Sequence, residues 1–340
     1  MKTKSFILTL LLGIFSLNSY AVDNELNIPT KFEANQKLLK ITKQIEQEKN
    51  PQVTKFEVIK AFNEAQLQES IIKAMNRPGE AKPWYEYRKI FIIPKRIEQG
   101  IKFYQENYKA LTRASSYFNV PEEIIVSIIG VETMYGANMG RFRVLDALYT
   151  LGFYYPKREE YFQKEFINFI KLAKEQNWKY DDIKGSYAGA MGMGQFMPYS
   201  YLTWAVDFNN DHKINLFSDK EDVIGSIANY FKEHGYDKTK PTLLKLNLDK
   251  NTNFEKLDSL IVSGIDLTLT IKDIRNLGIM VDSTYSDQEP CKVIKLETEN
   301  GYNYYLGLHN FRAIMTYNRS PLYAMAVYEL SQIIKGHLNK

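Results

Sequence analysis

The sequence predicts a mainly α-helical fold of the α+β class, in which a helical body carries one small β-rich insertion. Three observations support this. Apolar residues recur at threes and fours over 94–118 and again over 159–176, as in helices that bury one face. Residues 124–136, IIVSIIGVETMYG, are almost wholly apolar, which suits a helix enclosed on most sides. From 237 to 301 the helical period fades, and short alternating runs such as 267–271 and 292–297 read as strands.

Residues 1–21 read as a secretory leader. Lys2 and Lys4 precede an apolar run over 6–17, and Ser19-Tyr20-Ala21 sets small residues for cleavage before Val22. The run is too short to cross a bilayer, and no other stretch approaches twenty apolar residues. No cysteine stands at the cleavage point to take a lipid anchor, so the expected product is exported and soluble, periplasmic where the cell has an outer membrane. Cys291 is the single cysteine, so no internal disulfide forms and the fold relies on its core. The formal charge of +4 drops by two with the leader, too mild to indicate nucleic acid. The 24 tyrosines and 19 phenylalanines suit sugar rings as well as ordinary cores.

Residues 22–118 form an N-terminal helical region. Its first part, 22–80, is polar, with short helical patterns such as 56–74, and Asn76-Arg77-Pro78-Gly79 is a break. Pro83-Trp84-Tyr85-Glu86-Tyr87-Arg88 is an aromatic cluster that reads equally as loop wall or core. A single long helix is expected over 94–118, with Ile97, Ile101, Tyr104, Tyr108 and Leu111 on one side.

Residues 119–236 hold the chemistry. Pro121 suits the first turn of the apolar helix, Glu122 and Glu123 suit its positive end, and Gly136 offers a left-handed exit. Within it stands one carboxylate, Glu132, which is expensive to ionise unless compensated. Such a setting lets a Glu donate a proton near neutrality. The structural alternative is a solvent-facing Glu, or one paired with Arg141 or Arg143. After 145–151 and a stop at Pro156, the helix over 159–176 turns Phe162, Phe166, Phe169, Ile170 and Ala173 inward. Residues 185–198, GSYAGAMGMGQFMP, are rich in glycine but lack the Gly-Lys-Ser/Thr ending of a phosphate loop and the G-x-S-x-G elbow. Alone, they read as a tight turn between helices.

Residues 207–214 resemble the start of an EF-hand. Asp207, Asn209 and Asp211 stand at the alternating ligand positions, Lys213 would give its backbone carbonyl, and Ile214 sits at the usual apolar position. His212 replaces the turn glycine, and Ser218 stands where a bidentate Glu is usual. Asp222 would supply the closing carboxylate, or cap a helix that runs to His234 and ends at Gly235. The histidines lack metal spacing, and His234 reads as a cation at a helix C-terminus. Trp84 and Trp204 read as buried by default, and Cys291 as unreactive. Residues 302–340 return to the helical body and close with a helix opened by Ser320-Pro321 and ending near Gly336.

Several strings together resemble the soluble lytic murein transglycosylase B family, grouped with glycoside hydrolase family 103. They are IIGVET at 128–133, YPKR at 155–158, GSYAGAMGMGQFMP at 185–198, AVDFNND at 205–211, INLF at 214–217, IGSIANYFKEHG at 224–235, and Tyr317-Asn318 before YAMAVYEL at 323–330. The likeness is densest over 84–236 and resumes from 302. It implies a lysozyme-like helical core at 119–236, an added N-terminal helical domain and a small β-domain. It also implies cleavage of the β-1,4 bond between N-acetylmuramic acid and N-acetylglucosamine in peptidoglycan strands, giving a 1,6-anhydromuramic acid end without consuming water.

By the same resemblance Glu132 matches the catalytic acid/base. Ser186, Gln195, Tyr317 and Asn318 match residues lining the sugar site, and Tyr87, Arg158, Tyr161 and Tyr323 match further cleft positions. Lys157 stands where the family often has a second Arg, which keeps the charge but not bidentate binding. No catalytic cofactor is implied. A structural calcium is, held by Asp207, Asn209, Asp211 and Asp222 through side chains and by Lys213 through its backbone. Cell-wall synthesis or division proteins are the expected class of partner. Ordinary glycosidases use two carboxylates, and here Asp146, the nearest candidate, reads as structural. One carboxylate suffices if the sugar's own acetamido group assists. The competing readings are a muramidase with a second carboxylate and a non-catalytic peptidoglycan-binding protein. A calcium sensor is disfavoured by the single imperfect loop.

Overall fold

Thr30 and Thr54 each accept a backbone N–H three residues on, while Glu33 and Glu57 reach back to the capping residue, so two capping boxes start the first helices. In this computed structural model, which describes residues 28–76 and 82–338, these are α1 (Lys31–Gln47) and α2 (Lys55–Glu64). The leader and residues 77–79 of the expected break lie outside the described residues. The helical pattern over 56–74 divides into α2 and α3 (Glu69–Asn76). At the division the Gln66 N–H goes to the Asp146 carboxylate and the Gln68 N–H to the Thr150 hydroxyl. Tertiary partners thus replace the helix's own.

The aromatic cluster at 83–88 is core, on α4 (Trp84–Phe91), with Trp84, Tyr87 and Phe91 buried. The single helix expected over 94–118 is instead two, α5 (Pro94–Glu106) and α6 (Tyr108–Phe118). They part at Asn107, whose φ is −117° and whose side-chain amide donates to the Phe103 carbonyl at 2.7 Å. An asparagine that bonds its own backbone competes with the helix, and here it breaks it. Next come α7 (Glu122–Thr133), β1 (Phe142–Arg143), α8 (Val144–Tyr154), a 3₁₀ turn at Pro156–Arg158 and α9 (Glu159–Glu175). Then β2 (Lys184–Gly185) pairs antiparallel with β1, and α10 (Pro198–Trp204) and α11 (Lys220–Glu233) follow.

The insertion comprises β3 (Leu243–Lys245), α12 (Phe254–Ser259), β4 (Leu269–Thr270), α13 (Ile271–Arg275), β5 (Pro290–Thr298) and β6 (Gly301–Gly307). The sheet order is β3-β6-β5-β4, all neighbours antiparallel. It runs past the expected limit at 301, because the β5–β6 hairpin stays in register from Thr298↔Gly301 to Lys292↔Gly307. It has its own apolar centre, including Leu257, Ile271, Ile274, Cys291 and Leu306. α14 (His309–Tyr317) and α15 (Pro321–Leu338) then return to the helical body.

The larger core is one cluster that takes residues from both sides of 118, from Ala34 to Tyr236 and again from Ile294 to Ile334, so residue 118 separates no two cores. At its centre lies α7, buried from Ile124 through Thr133, with α5, α6, α11 and α15 packed on it. An all-round apolar helix is stable only where neighbours cover every side.

Asp146 is one anchor of the N-terminal helices. It is 5% exposed and accepts the Gln66 N–H at 2.9 Å and Arg143 at 3.0 Å, while Arg143 also donates to the Glu64 carbonyl. Asp146→Ala strands that N–H and removes the partner of Arg143, so urea unfolding should show a loss of about 2–4 kcal/mol. An unchanged urea midpoint would show that α2 and α3 do not depend on this anchor.

Candidate active site

The twelve residues of α7 place Glu132 in the last turn of a buried helix, and the residue is 4% exposed. The exit from the helix differs from expectation. Left-handed backbone begins at Met134 (φ 53°) and continues through Tyr135 (φ 58°) to Gly136 (φ 91°). Two consecutive non-glycine residues in that region cost energy that surrounding contacts must offset. The contacts are specific. The Tyr135 hydroxyl donates to the Arg96 carbonyl, the Thr133 hydroxyl donates to the Met193 carbonyl at 2.8 Å, and the Gly136 N–H returns to Thr133 Oγ1 at 3.0 Å.

Glu132 Oε1 accepts a 2.5 Å hydrogen bond from the Tyr323 hydroxyl, from the first turn of α15. Burial pushes the Glu132 carboxyl up to about 7, and the Tyr323 bond opposes part of that rise. Neither cause involves another carboxylate. Tyr87 from α4 and Tyr317 from α14 also feel its charge, and burial with that charge holds both hydroxyls well above their usual range. The arginine pairing does not occur. Arg143 is engaged by Asp146 and Asp181, and Arg141 lies over the Phe142 ring.

The glycine-rich stretch wraps this helix end. Gly192, at φ 70°, lies against the Leu216 carbonyl where a side chain would collide, and the neighbouring Met193 N–H bonds that carbonyl at 2.8 Å. Ser186 Oγ accepts the N–H groups of Ala188 and Ala190. Gln195, at φ 52°, donates through Nε2 to the carbonyls of Met139 and Gly192. The Tyr317 hydroxyl donates to the Gly194 carbonyl at 2.5 Å, tying the stretch to α14. Asn318 is 8% exposed, and its buried Oδ1 has no hydrogen-bond partner among the described residues.

Arg158 and Tyr161 belong to an adjoining patch. The Arg158 guanidinium lies 4.5 Å from the Tyr161 ring centre, and Tyr161 is 37% exposed. Burial, chiefly, pushes the Tyr161 hydroxyl up to about 12, and Glu165, Arg158, Tyr230 and Arg319 also act on it. Tyr230 in turn packs on Tyr317 and donates to the Thr316 carbonyl. His234 is no helix-end cation. It stacks on Tyr230 at 3.8 Å, and burial holds its pKa below the usual histidine value.

Sequence reading missed Glu165. It is 4% exposed on α9, accepts the Tyr199 N–H at 2.9 Å, and burial pushes its carboxyl up to about 7. A signal existed. Position 165 falls three after Phe162 and four before Phe169, within the apolar stripe that turns inward.

In the EF-hand-like loop, Asn210 (φ 63°) and His212 (φ 68°) take left-handed backbone, so His212 adopts the turn normally given to glycine. Asp207 accepts the N–H groups of Asp211 and His212, Asn209 accepts that of Asp211, and Asp211 accepts that of Lys213. The helix cap is Asp219, not Asp222. Asp222 lies fully buried one turn in and accepts the N–H groups of Phe208 and Asn215, both at 2.8 Å. Among the described residues no three His, Cys, Asp or Glu side chains converge as a ready metal cluster. These carboxylates are turned to local N–H groups. The loop nonetheless offers hard oxygen donors on a bent backbone that suits calcium.

The sequence model described as the transglycosylase SLT domain matches residues 35–332. Membrane-bound lytic murein transglycosylase B of Escherichia coli is 41% identical over 263 residues, 77% of this chain and 70% of that protein. The crystal structure of the soluble lytic transglycosylase SltB1 from Pseudomonas aeruginosa superposes with a TM-score of 0.81 at 38% identity, covering 89% of this chain and all of that one. The Escherichia coli lytic transglycosylase Slt35, determined in complex with calcium, gives a TM-score of 0.77 at 36% identity over 92% of this chain and 95% of that one. These relatives are named for lytic transglycosylase activity, and this chain, with its lysozyme-like helical fold, belongs to the lytic murein transglycosylase B family as a lyase-type enzyme that acts on peptidoglycan.

Proposed function

We propose that this enzyme cleaves the β-1,4 bond between N-acetylmuramic acid and N-acetylglucosamine and closes the muramic sugar to a 1,6-anhydro end, with Glu132 as sole acid and base. The observation that carries this reading is a buried carboxyl raised to about 7, bonded to Tyr323 and acted on by no second carboxylate among the described residues. A group near 7 gives a proton and takes one back at neutral pH.

The chemistry balances on one carboxyl. Protonated Glu132 gives its proton to the glycosidic oxygen as the bond to C1 breaks. The acetamido carbonyl of the same sugar stabilises the positive C1, and Ser186 or the unspent Asn318 acceptor holds that group in place. Glu132, now a base, removes the C6 hydroxyl proton, and O6 closes onto C1. Tyr323 orients the carboxyl, and the burial around it excludes the water that would give hydrolysis. Gln195 and Tyr317 line the sugar site, and Tyr87, Arg158 and Tyr161 serve at further positions of the cleft. This is the chemistry of glycoside hydrolase family 103.

We further propose export after cleavage behind Ala21 into a periplasm. No helix among the described residues is long and apolar enough to cross a membrane. Calcium would be held by Asp207, Asn209 and Asp211 side chains, the Lys213 carbonyl and Asp222. It would supply a structural crosslink at the base of α11.

Purified protein incubated with peptidoglycan should release products one water lighter than hydrolysed muropeptides by mass spectrometry, and Glu132→Gln should release none. Full-weight reducing products would establish a muramidase instead. The raised pKa also sets a stability profile. The folded state favours the proton, so this group's contribution is complete below about 4.5 and is lost as pH rises through about 7. Glu132→Gln should therefore exceed the parent in unfolding free energy at pH 8 by roughly 2–3 kcal/mol, converging with it near pH 4. Equal stability at pH 8 would mean Glu132 ionises without cost. For the metal, EDTA should lower the melting temperature and calcium restore it. Indifference of metal-free protein to calcium would remove that site.

A further inference from the structure

Arg96 is 2% exposed and takes its charge into the interior, where its three hydrogen bonds all run to backbone carbonyls. Nη1 donates to the carbonyls of Ile90 at 2.7 Å and Phe91 at 2.8 Å, in the last turn of α4. Nε donates to the Gly130 carbonyl at 2.9 Å, in the last turn of α7. Carbonyls at a helix C-terminus carry the negative end of its dipole, and although Gly130 O also accepts the Met134 N–H at 3.1 Å and Phe91 O the Ile93 N–H at 3.2 Å, each carbonyl has a second lone pair open to the guanidinium. One planar guanidinium therefore bridges the carbonyl ends of two helices in a fixed fork, a geometry that the single ammonium of a lysine does not reproduce. The helices it joins carry Tyr87 and Glu132, and the Glu132 charge acts on the Tyr87 hydroxyl.

Tyr135 completes the device. Its hydroxyl donates to the Arg96 carbonyl, and it fits between Gly100 of α5 and Gly130 of α7, where an added methyl on either glycine would strike it. The left-handed Met134–Tyr135 exit is what turns that ring back onto its own helix. We infer that Arg96 and Tyr135 are positioning residues, which clamp α4 and α5 onto the end of α7 and so keep the Glu132 carboxyl in a dry, tyrosine-lined setting. This rests on the reading of Glu132 as acid and base. The titratable groups facing Glu132 are Tyr323 from α15, Tyr87 from α4 and Tyr317 from α14, and Arg96 touches none of their hydroxyls. Its influence runs through the backbone.

The test uses the purified full chain with Arg96→Lys and Tyr135→Phe, each checked for parental helix content. Two readouts are taken: the pH dependence of kcat for anhydro-product release, and infrared titration of the Glu132 carboxyl by difference from Glu132→Gln. Loosening the clamp admits water and moves the carboxyl toward its ordinary range. In Arg96→Lys the alkaline limb of kcat and the infrared midpoint should therefore both fall by about one pH unit. At pH 7 kcat should drop about fivefold while KM changes less than about twofold. Tyr135→Phe should move the same way by less. A folded Arg96→Lys whose carboxyl titrates at the parental pH overturns the proposal. If that variant does not fold, an unshifted midpoint in Tyr135→Phe overturns it. Parent protein that yields no anhydro product defeats the transglycosylase reading alone, and the infrared midpoint still decides the clamp.

Discussion

The enclosure of one carboxyl, Glu132, at the end of a helix buried on every side is the constraint to which the rest of the molecule answers. A Glu in that position costs free energy when ionised, and the fold spends a large part of its helical body on keeping it enclosed. Four helices cover α7, and the tyrosines nearest the carboxyl come from α4, α14 and α15, widely separated in the chain. Tyr323 gives it a defined direction, and burial gives it a proton near neutrality.

The strain at the helix end follows from the same requirement. A helix leaving through Gly136 alone would need no special support. Leaving through Met134 and Tyr135 requires it, and the support comes from Arg96, from the two glycines that make room for Tyr135, and from the Thr133–Met193 bond. That last bond also brings the glycine-rich stretch, with Ser186 and Gln195, up to the carboxyl's helix. Tyr317 fixes the stretch from the other side through Gly194. The same few hydrogen bonds thus hold Glu132 and the residues proposed for the sugar site in one frame.

The second buried carboxyl, Glu165, shows why burial and a raised pKa do not alone identify an acid catalyst. One of its oxygens holds the Tyr199 N–H at the start of α10, and the groups that feel its charge include Tyr161, outside the tyrosine cluster on Glu132. Asp146 is likewise committed, to Gln66 and Arg143. What favours Glu132 as the proposed acid is its position at the meeting of the helix exit, the glycine-rich stretch and the α14–α15 joint.

The sequence by itself determined the helical class, the buried character of α7, the β-rich insertion and, through the motifs from IIGVET to YAMAVYEL, the family. These are readable because period and apolar runs are local, and because motif strings survive as strings. Only the tertiary structure decided where Asn107 breaks a helix, that Asp219 and not Asp222 caps α11, that Glu165 is enclosed, and that Tyr323 is the partner of Glu132. Each depends on an atom brought close from elsewhere in the fold or on a competition between local and distant hydrogen bonds. Residues 132 and 323 lie 191 positions apart, and no periodicity spans that distance. The physical setting of the carboxyl is a property of enclosure, and enclosure exists only once the chain is folded.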